Sequence, residues 1–247
     1  MFLKEIKNIL RPIKHFIQLV LFQLSLPIKR LRSLPLKEFC FNYFSQNGED
    51  GIVEEIFRRL KINSGWIVEF GAWDGKYASN TFHLLEAKKP FNAVYIEGDG
   101  NRYQDLLRTA EKYPIIPINS YVEPEGKNSL DNLLNKTPTP KDFELLSIDV
   151  DGIDYHLWES LKEYIPKIVI IEIDRGIPSH IRQIHSDEHR YSSALSMTEL
   201  GTKKSYTLVC NVGNLIFVRN DLLKNIGIYD LTEQKQNLLF TQKGSVY

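Results

Sequence analysis

Four carboxylates stand in two pairs of one form. Asp149 and Asp151 lie two residues apart, Glu172 and Asp174 repeat the spacing, and each pair closes a short apolar run. Residues two apart share a side of an extended chain, so the four acids are expected to converge at the mouths of neighbouring strands. There they would repel one another unless a cation or bound protons intervened. A Mg²⁺ or Mn²⁺ ion held by Asp149, Asp151, Glu172 and Asp174 would remove that repulsion and lower the pKa of a substrate hydroxyl. The competing expectation is that Asp151-Gly152 forms a turn, Asp154 caps a helix and the other acids are solvated. Three histidines, His180, His185 and His189, fall close together, the last two at the four-residue spacing of ligands on one helical face. Segment 177–191 has little periodicity, however, and reads as a polar lid over a substrate rather than as a zinc site. Imidazole titrates near neutrality, which makes His180 and His185, with Asp149, the candidate proton acceptors.

A second constellation is Glu69-Phe-Gly71-Ala-Trp-Asp-Gly75, at the end of an apolar run. Two glycines four apart let the chain turn sharply and bring its backbone against a ligand. The phosphate-cradling GxGxxG pattern is absent. Glu69 and Asp74 flank the turn instead, which suits a ligand carrying positive charge. Glu97 follows 26 residues after Gly71 and ends the next apolar run, where a carboxylate accepts hydrogen bonds from ribose hydroxyls in nucleotide-binding α/β folds.

The elements that must position these residues are strands over 66–71, 93–97, 115–118, 143–149 and 166–173. They alternate with helices over 80–88, 102–112, 129–134 (capped by Asn128) and 154–163. A helix over 193–203 and two strands, 206–210 and 215–219, follow, the strands joined by the turn-rich 211–214. Five strand–helix alternations predict a parallel sheet covered on both faces, closed by an antiparallel hairpin at or near one edge. Ligands are then expected beyond the carboxyl ends of the strands, at Gly71, Glu97, Asn119, Asp149 and Glu172.

At these residues the chain resembles the class I S-adenosylmethionine-dependent methyltransferases, and within them the FkbM-like group. The likeness covers 45–220. It rests on Ser45-Gln-Asn-Gly-Glu-Asp-Gly51, on Val68-Glu-Phe-Gly-Ala-Trp-Asp-Gly75, on Tyr95-Ile-Glu97, on Leu146-Ser-Ile-Asp-Val-Asp-Gly-Ile-Asp-Tyr155 and on Val169-Ile-Ile-Glu-Ile173. The resemblance implies a Rossmann-like three-layer α/β sandwich around a seven-stranded, mostly parallel sheet with one antiparallel strand. It implies S-adenosylmethionine as cofactor, held by Gln46, Glu69, Gly71, Asp74, Gly75, Glu97, Asn119 and Ser120. Gly71 and Gly75 would approach its methionine part, Glu97 its ribose, and Asn119 with Ser120 its adenine. It further implies methyl transfer to a sugar hydroxyl, in a nucleotide sugar or a surface glycan of polysaccharide biosynthesis. The rival readings are a metal-dependent glycosyltransferase using Asp149-Val-Asp151 and a non-catalytic adaptor held to a membrane or partner.

The chain has 247 residues, 43% of them hydrophobic and 25% charged, a composition that excludes disordered, collagen-like and coiled-coil chains. Its formal charge is zero, but the balance is uneven. Residues 1–40 carry eight basic and two acidic side chains, and the remainder 23 basic and 29 acidic. An acidic body argues against a nucleic-acid partner. Apolar residues at helical spacing over 2–24, with Pro12 as a kink, predict a basic amphipathic arm and linker over 1–39, ahead of an α/β domain over 40–247. The apolar stretch 16–26 is short of the about 20 residues needed to span a bilayer, and no cleavage site of a secretory leader follows Leu26. Residues 1–35 are expected either to lie on a membrane surface or to pack on the domain or on a second copy. Two cysteines, Cys40 and Cys210, form no disulfide or metal pattern and predict a reducing, cytoplasmic compartment.

Overall fold

The computed structural model describes residues 35–87 and 89–228. The arm expected over 1–34 lies outside the described residues. Residues just after it belong to the body: Leu36–Phe39 forms a 3₁₀ turn in which Leu36 and Phe39 are buried.

Seven strands form one sheet: β1 (Gly65–Phe70), β2 (Phe91–Glu97), β3 (Ile115–Asn119), β4 (Leu145–Ile148), β5 (Ile168–Ile171), β6 (Tyr206–Asn211) and β7 (Leu215–Arg219). Their spatial order is β3-β2-β1-β4-β5-β7-β6. Strands β1 to β5 pair in parallel, and β7 runs antiparallel to both its neighbours, β5 and β6. The closing hairpin thus inserts its second strand between β5 and the edge strand β6. This is the seven-stranded, mostly parallel sheet with one reversed strand that the sequence implies.

Alternation along the strands explains why both faces are covered. Val68, Val94, Leu146, Val169 and Phe217 pack into one core, while Ile67, Ala93, Leu145, Ile168 and Ile216 pack into the other. Every residue of β4 and β5 is buried, as central parallel strands require. The first core holds residues of α4 (Leu130–Leu134), α5 (Asp154–Ser160) and α6 (Ala194–Lys203). The second holds residues of α1 (Glu49–Leu60), α2 (Phe82–Glu86) and α3 (Gly100–Ala110).

Two helix starts differ from the sequence expectation. Helix α4 is capped by Ser129, whose hydroxyl accepts the Asn132 N–H, and not by Asn128. Asp154 is the first residue of α5 rather than its cap. Its carboxylate reaches back to the N–H groups of Val150 and Gly152 at 3.0 and 2.9 Å, holding the turn after β4. No helix among the described residues is long and apolar enough to cross a membrane.

The core on the α5–α6 face centres on Trp158, which packs on Phe217 at 4.9 Å and Tyr206 at 5.7 Å between ring centroids. Gly201 makes room for this cluster, since a Cβ there would lie 2.6 Å from the Phe217 ring. Phe217→Ala is therefore expected to lower unfolding free energy by about 3–5 kcal/mol in urea denaturation. A loss under about 1 kcal/mol, the scale of a partly exposed position, would contradict this packing.

Candidate active site

The strand order reverses between β1 and β4: β2 and β3 extend the sheet one way, β5 the other. A crevice opens beyond the carboxyl ends of the strands at such a point. It contains a cavity of about 540 Å³, lined by Gln46, Glu69, Gly71, Glu97, Ser120, Tyr121, Asp149 and Glu172 among others.

Gly71 makes the crevice possible. Its φ is +74°, and a Cβ there would lie 1.7 Å from the Asp149 carbonyl oxygen. The turn beyond it is fixed by Glu97, only 5% exposed. One carboxylate oxygen of Glu97 accepts the Trp73 N–H at 2.8 Å and the other accepts the Asp99 N–H at 2.7 Å. A carboxylate has about four acceptor sites, so roughly two remain for a ligand. Trp73 is left at φ +51°, its indole covered by the Arg102 guanidinium 3.6 Å from the ring centroid.

Glu69 lines the same cavity from inside the sheet. It accepts hydrogen bonds from the Ser79 hydroxyl at 2.7 Å, the Asn80 N–H at 3.1 Å and the Thr81 hydroxyl. Burial raises its pKa in spite of those donors. Its role is to hold segment 79–81 against β1 as well as to line the cavity.

Asp149 and Glu172 sit side by side at the ends of β4 and β5. Burial, with repulsion from neighbouring carboxylates, pushes Asp149 up to about 8 and Glu172 up to about 7. Glu172 Oε2 is shielded from water and accepts no N–H or hydroxyl among the described residues. A proton carried by Asp149 and donated to Glu172 satisfies that oxygen.

The expected convergence of four carboxylates is not found. Asp151 adopts φ +59°, which breaks the extended geometry on which the shared side depended. Its carboxylate accepts the Tyr191 hydroxyl at 3.0 Å, and Asp174 turns to the Gly176 N–H at 2.7 Å. Among the described residues no three His, Cys, Asp or Glu side chains are grouped to hold a metal ion. The donor set therefore does not fit Mg²⁺ or Mn²⁺, and Asp149-Val-Asp151 does not present paired carboxylates.

Other expected site residues fall outside the cavity lining. Gly75, at φ +79°, faces Leu106 and Tyr95. Asp74 closes a local turn by accepting the Lys76 and Tyr77 N–H groups. Asn119 gives its amide to the Glu97 and Gly98 carbonyls, whereas its neighbour Ser120 does line the cavity. His180 is exposed. His185 packs on the His156 ring at 5.7 Å and lies beside Gly152. Neither histidine lines the cavity.

Several lining residues carry no prior expectation. Trp73, Tyr77 and Tyr121 are large side chains left 40%, 62% and 70% exposed at the cavity. The first two lie inside the glycine segment and could have been read from it. Tyr121 lies over Gly98, where a Cβ would meet its ring at 2.3 Å. A buried pair, His83 Nδ1 to Asp50 Oδ1 at 2.8 Å, also went unread. Asp50 takes three further N–H bonds from Tyr43, Phe44 and Ser45 and so fixes the loop carrying Gln46.

No protein-family model matches the chain, and no curated protein matches it. Solved structures do. The chain is similar to M. capricolum TrmK in complex with S-adenosyl-homocysteine, at 13% identity and a TM-score of 0.40, over 66% of this chain and 65% of that one. It is similar to the CurJ carbon methyltransferase at 8% identity and a TM-score of 0.47, over 68% and 52%. It is also similar to a SAM-dependent methyltransferase from Aquifex aeolicus at 13% identity and a TM-score of 0.41, over 67% and 86%. The chain thus spans less than two thirds of the length of the first two. These likenesses concern the fold, whose strand order is fixed independently by the pairing above.

The carboxyl pair has a consequence for stability. Both groups hold protons more tightly in the folded chain than in the unfolded one, so between the ordinary carboxylate range and about pH 8 the folded state binds more protons. Stability must then fall as pH rises through that window. Wild type is expected to lose melting temperature from pH 6 to pH 9 more steeply than Asp149→Asn, which cannot ionise; equal slopes by calorimetry would contradict the pairing.

Proposed function

We propose that this chain is an S-adenosylmethionine-dependent methyltransferase acting on oxygen, with a sugar hydroxyl of a nucleotide sugar or surface glycan as acceptor. The observation that carries the reading is Glu97: a buried carboxylate beside Gly71, positioned by two backbone N–H groups and with acceptor capacity left over. Ribose hydroxyls match that spare capacity. The site also fits the rest of the cofactor. The Tyr121 ring beside Ser120 offers a stacking surface for adenine. The glycine turn at Gly71 leaves room at the backbone for the methionine part, and carboxylates favour its positive charge.

Bound there, the cofactor supplies a methyl group on a sulfonium centre. The chain's own contribution is to orient the acceptor oxygen in line with that carbon and to take its proton. Asp149, with Glu172 beside it, is the group placed for the second task; the loop histidines stand outside the cavity lining.

Calorimetry with S-adenosylhomocysteine should show binding by wild type. Tyr121→Ala changes an exposed residue and leaves the fold intact, and lost stacking of about 1–3 kcal/mol should weaken binding roughly 5- to 150-fold. Incubation with S-adenosylmethionine and pooled nucleotide sugars should release S-adenosylhomocysteine, read by mass spectrometry. A protein that binds neither form of the cofactor would overturn the reading.

A further inference from the structure

The Asp149–Glu172 pair also borders a second pocket, of about 80 Å³. Its walls come from the loop before α1, segment 78–80, the ends of β4 and β5, and the turn between β6 and β7. The polar groups are Gln46, Asn80, Asp149, Glu172, Arg175 and Asn214. Asn214 is only 8% exposed, and among the described residues its side-chain amide has no hydrogen-bond partner. Buried amides are rarely left in that state. Asn80, at 2% exposed, gives one amide hydrogen to the Ser147 hydroxyl at 3.1 Å, and its carbonyl oxygen receives no donor among the described residues. The shielded Oε2 of Glu172 points to the same unmet capacity.

The chemistry of the walls selects the ligand. Two carboxyl groups disfavour an anion, and no aromatic ring lines the pocket to receive a planar group. An amide both donates and accepts, and a carboxylate accepts from two neighbouring donors, so adjacent hydroxyls are matched group for group. A water needs about 10–15 Å³ on this measure, so the pocket holds roughly five water-sized groups. That is room for one hydroxylated ring edge and not for a second ring.

We infer that this pocket is a binding subsite for the edge of a neutral, polyhydroxylated ring, held by Asn214, Asn80, Gln46 and Glu172. Calling that ring the methyl acceptor rests on the function proposed above; the pocket's preference for a polyol does not. Because Asp149 and Glu172 border both cavities, a hydroxyl seated here lies against the carboxyl pair while the larger cavity holds the cofactor. A site built to hydrogen-bond a hydroxyl rejects an analogue that lacks it, so each hydroxyl on the seated edge contributes to selection.

The test follows side-chain amide resonances of the full chain by ¹⁵N NMR, with and without S-adenosylhomocysteine. Methyl α-glucopyranoside, methyl α-galactopyranoside, methyl α-mannopyranoside and methyl α-rhamnopyranoside are the probes, with inorganic phosphate as the anionic control. At least one glycoside should shift the Asn214 and Gln46 amides saturably, and phosphate should not. Asn214→Leu should abolish the shifts. Should that variant unfold, Gln46→Ala at an exposed position should still weaken glycoside binding about tenfold or more. The inference is overturned if no glycoside shifts these resonances while S-adenosylhomocysteine binds, if Gln46→Ala binds glycoside unchanged, or if phosphate is preferred. Glycoside binding by a protein that ignores S-adenosylhomocysteine would uphold the pocket and overturn the methyl-transfer reading alone.

Discussion

The site depends on one carboxylate. Glu97 ends β2, yet its two oxygens take N–H groups from Trp73, in the turn after β1, and from Asp99, ahead of α3. A single side chain thereby ties two strand ends into one rigid rim. Hydrogen bonds from backbone donors to a charged, buried acceptor are among the stronger ones in proteins. The bonds also leave the carboxylate fixed in orientation before any ligand arrives, which lowers the ordering cost of binding. The positive φ of Trp73 is tolerated because this bond and the stacked Arg102 hold the residue there.

Around that rim the chain keeps several carboxyl groups at the sheet's mouth and treats each differently. Glu97 is held by backbone N–H groups. Glu69 is met by the Ser79 and Thr81 hydroxyls and the Asn80 N–H, and burial still raises its pKa. Asp149 and Glu172 meet each other, which at close range requires a shared proton. The result is a crevice rich in acceptors and without a phosphate-cradling glycine loop. It suits hydroxyls and a delocalised positive charge better than a polyphosphate. The small pocket behind the pair extends the same chemistry with neutral amides.

The sheet was legible in the sequence because its signals are local. Uninterrupted apolar runs at 145–148 and 168–171 could only be buried strands, and the Gly71 turn with Glu97 could be placed at adjacent strand ends from spacing alone. The carboxylate cluster was misread because the extended-strand rule was carried past the end of β4. A left-handed residue at Asp151 followed by Gly152 redirects the chain there. The cap of α4 moved by one residue, where Asn128 and Ser129 are both competent and only geometry chooses. Asn214, Asn80 and the Asp50–His83 pair carried no local signal. Their partners lie dozens of residues away, and only the packed sheet brings them to one place.

A crystal structure of the chain with S-adenosylhomocysteine tests the central claim most directly. The account predicts both ribose hydroxyls within hydrogen-bond distance of the Glu97 carboxylate, the adenine against Tyr121, and the sulfur between Gly71 and Asp149. A nucleoside bound elsewhere, or one seated in the crevice with Glu97 making only its two backbone contacts, would contradict it.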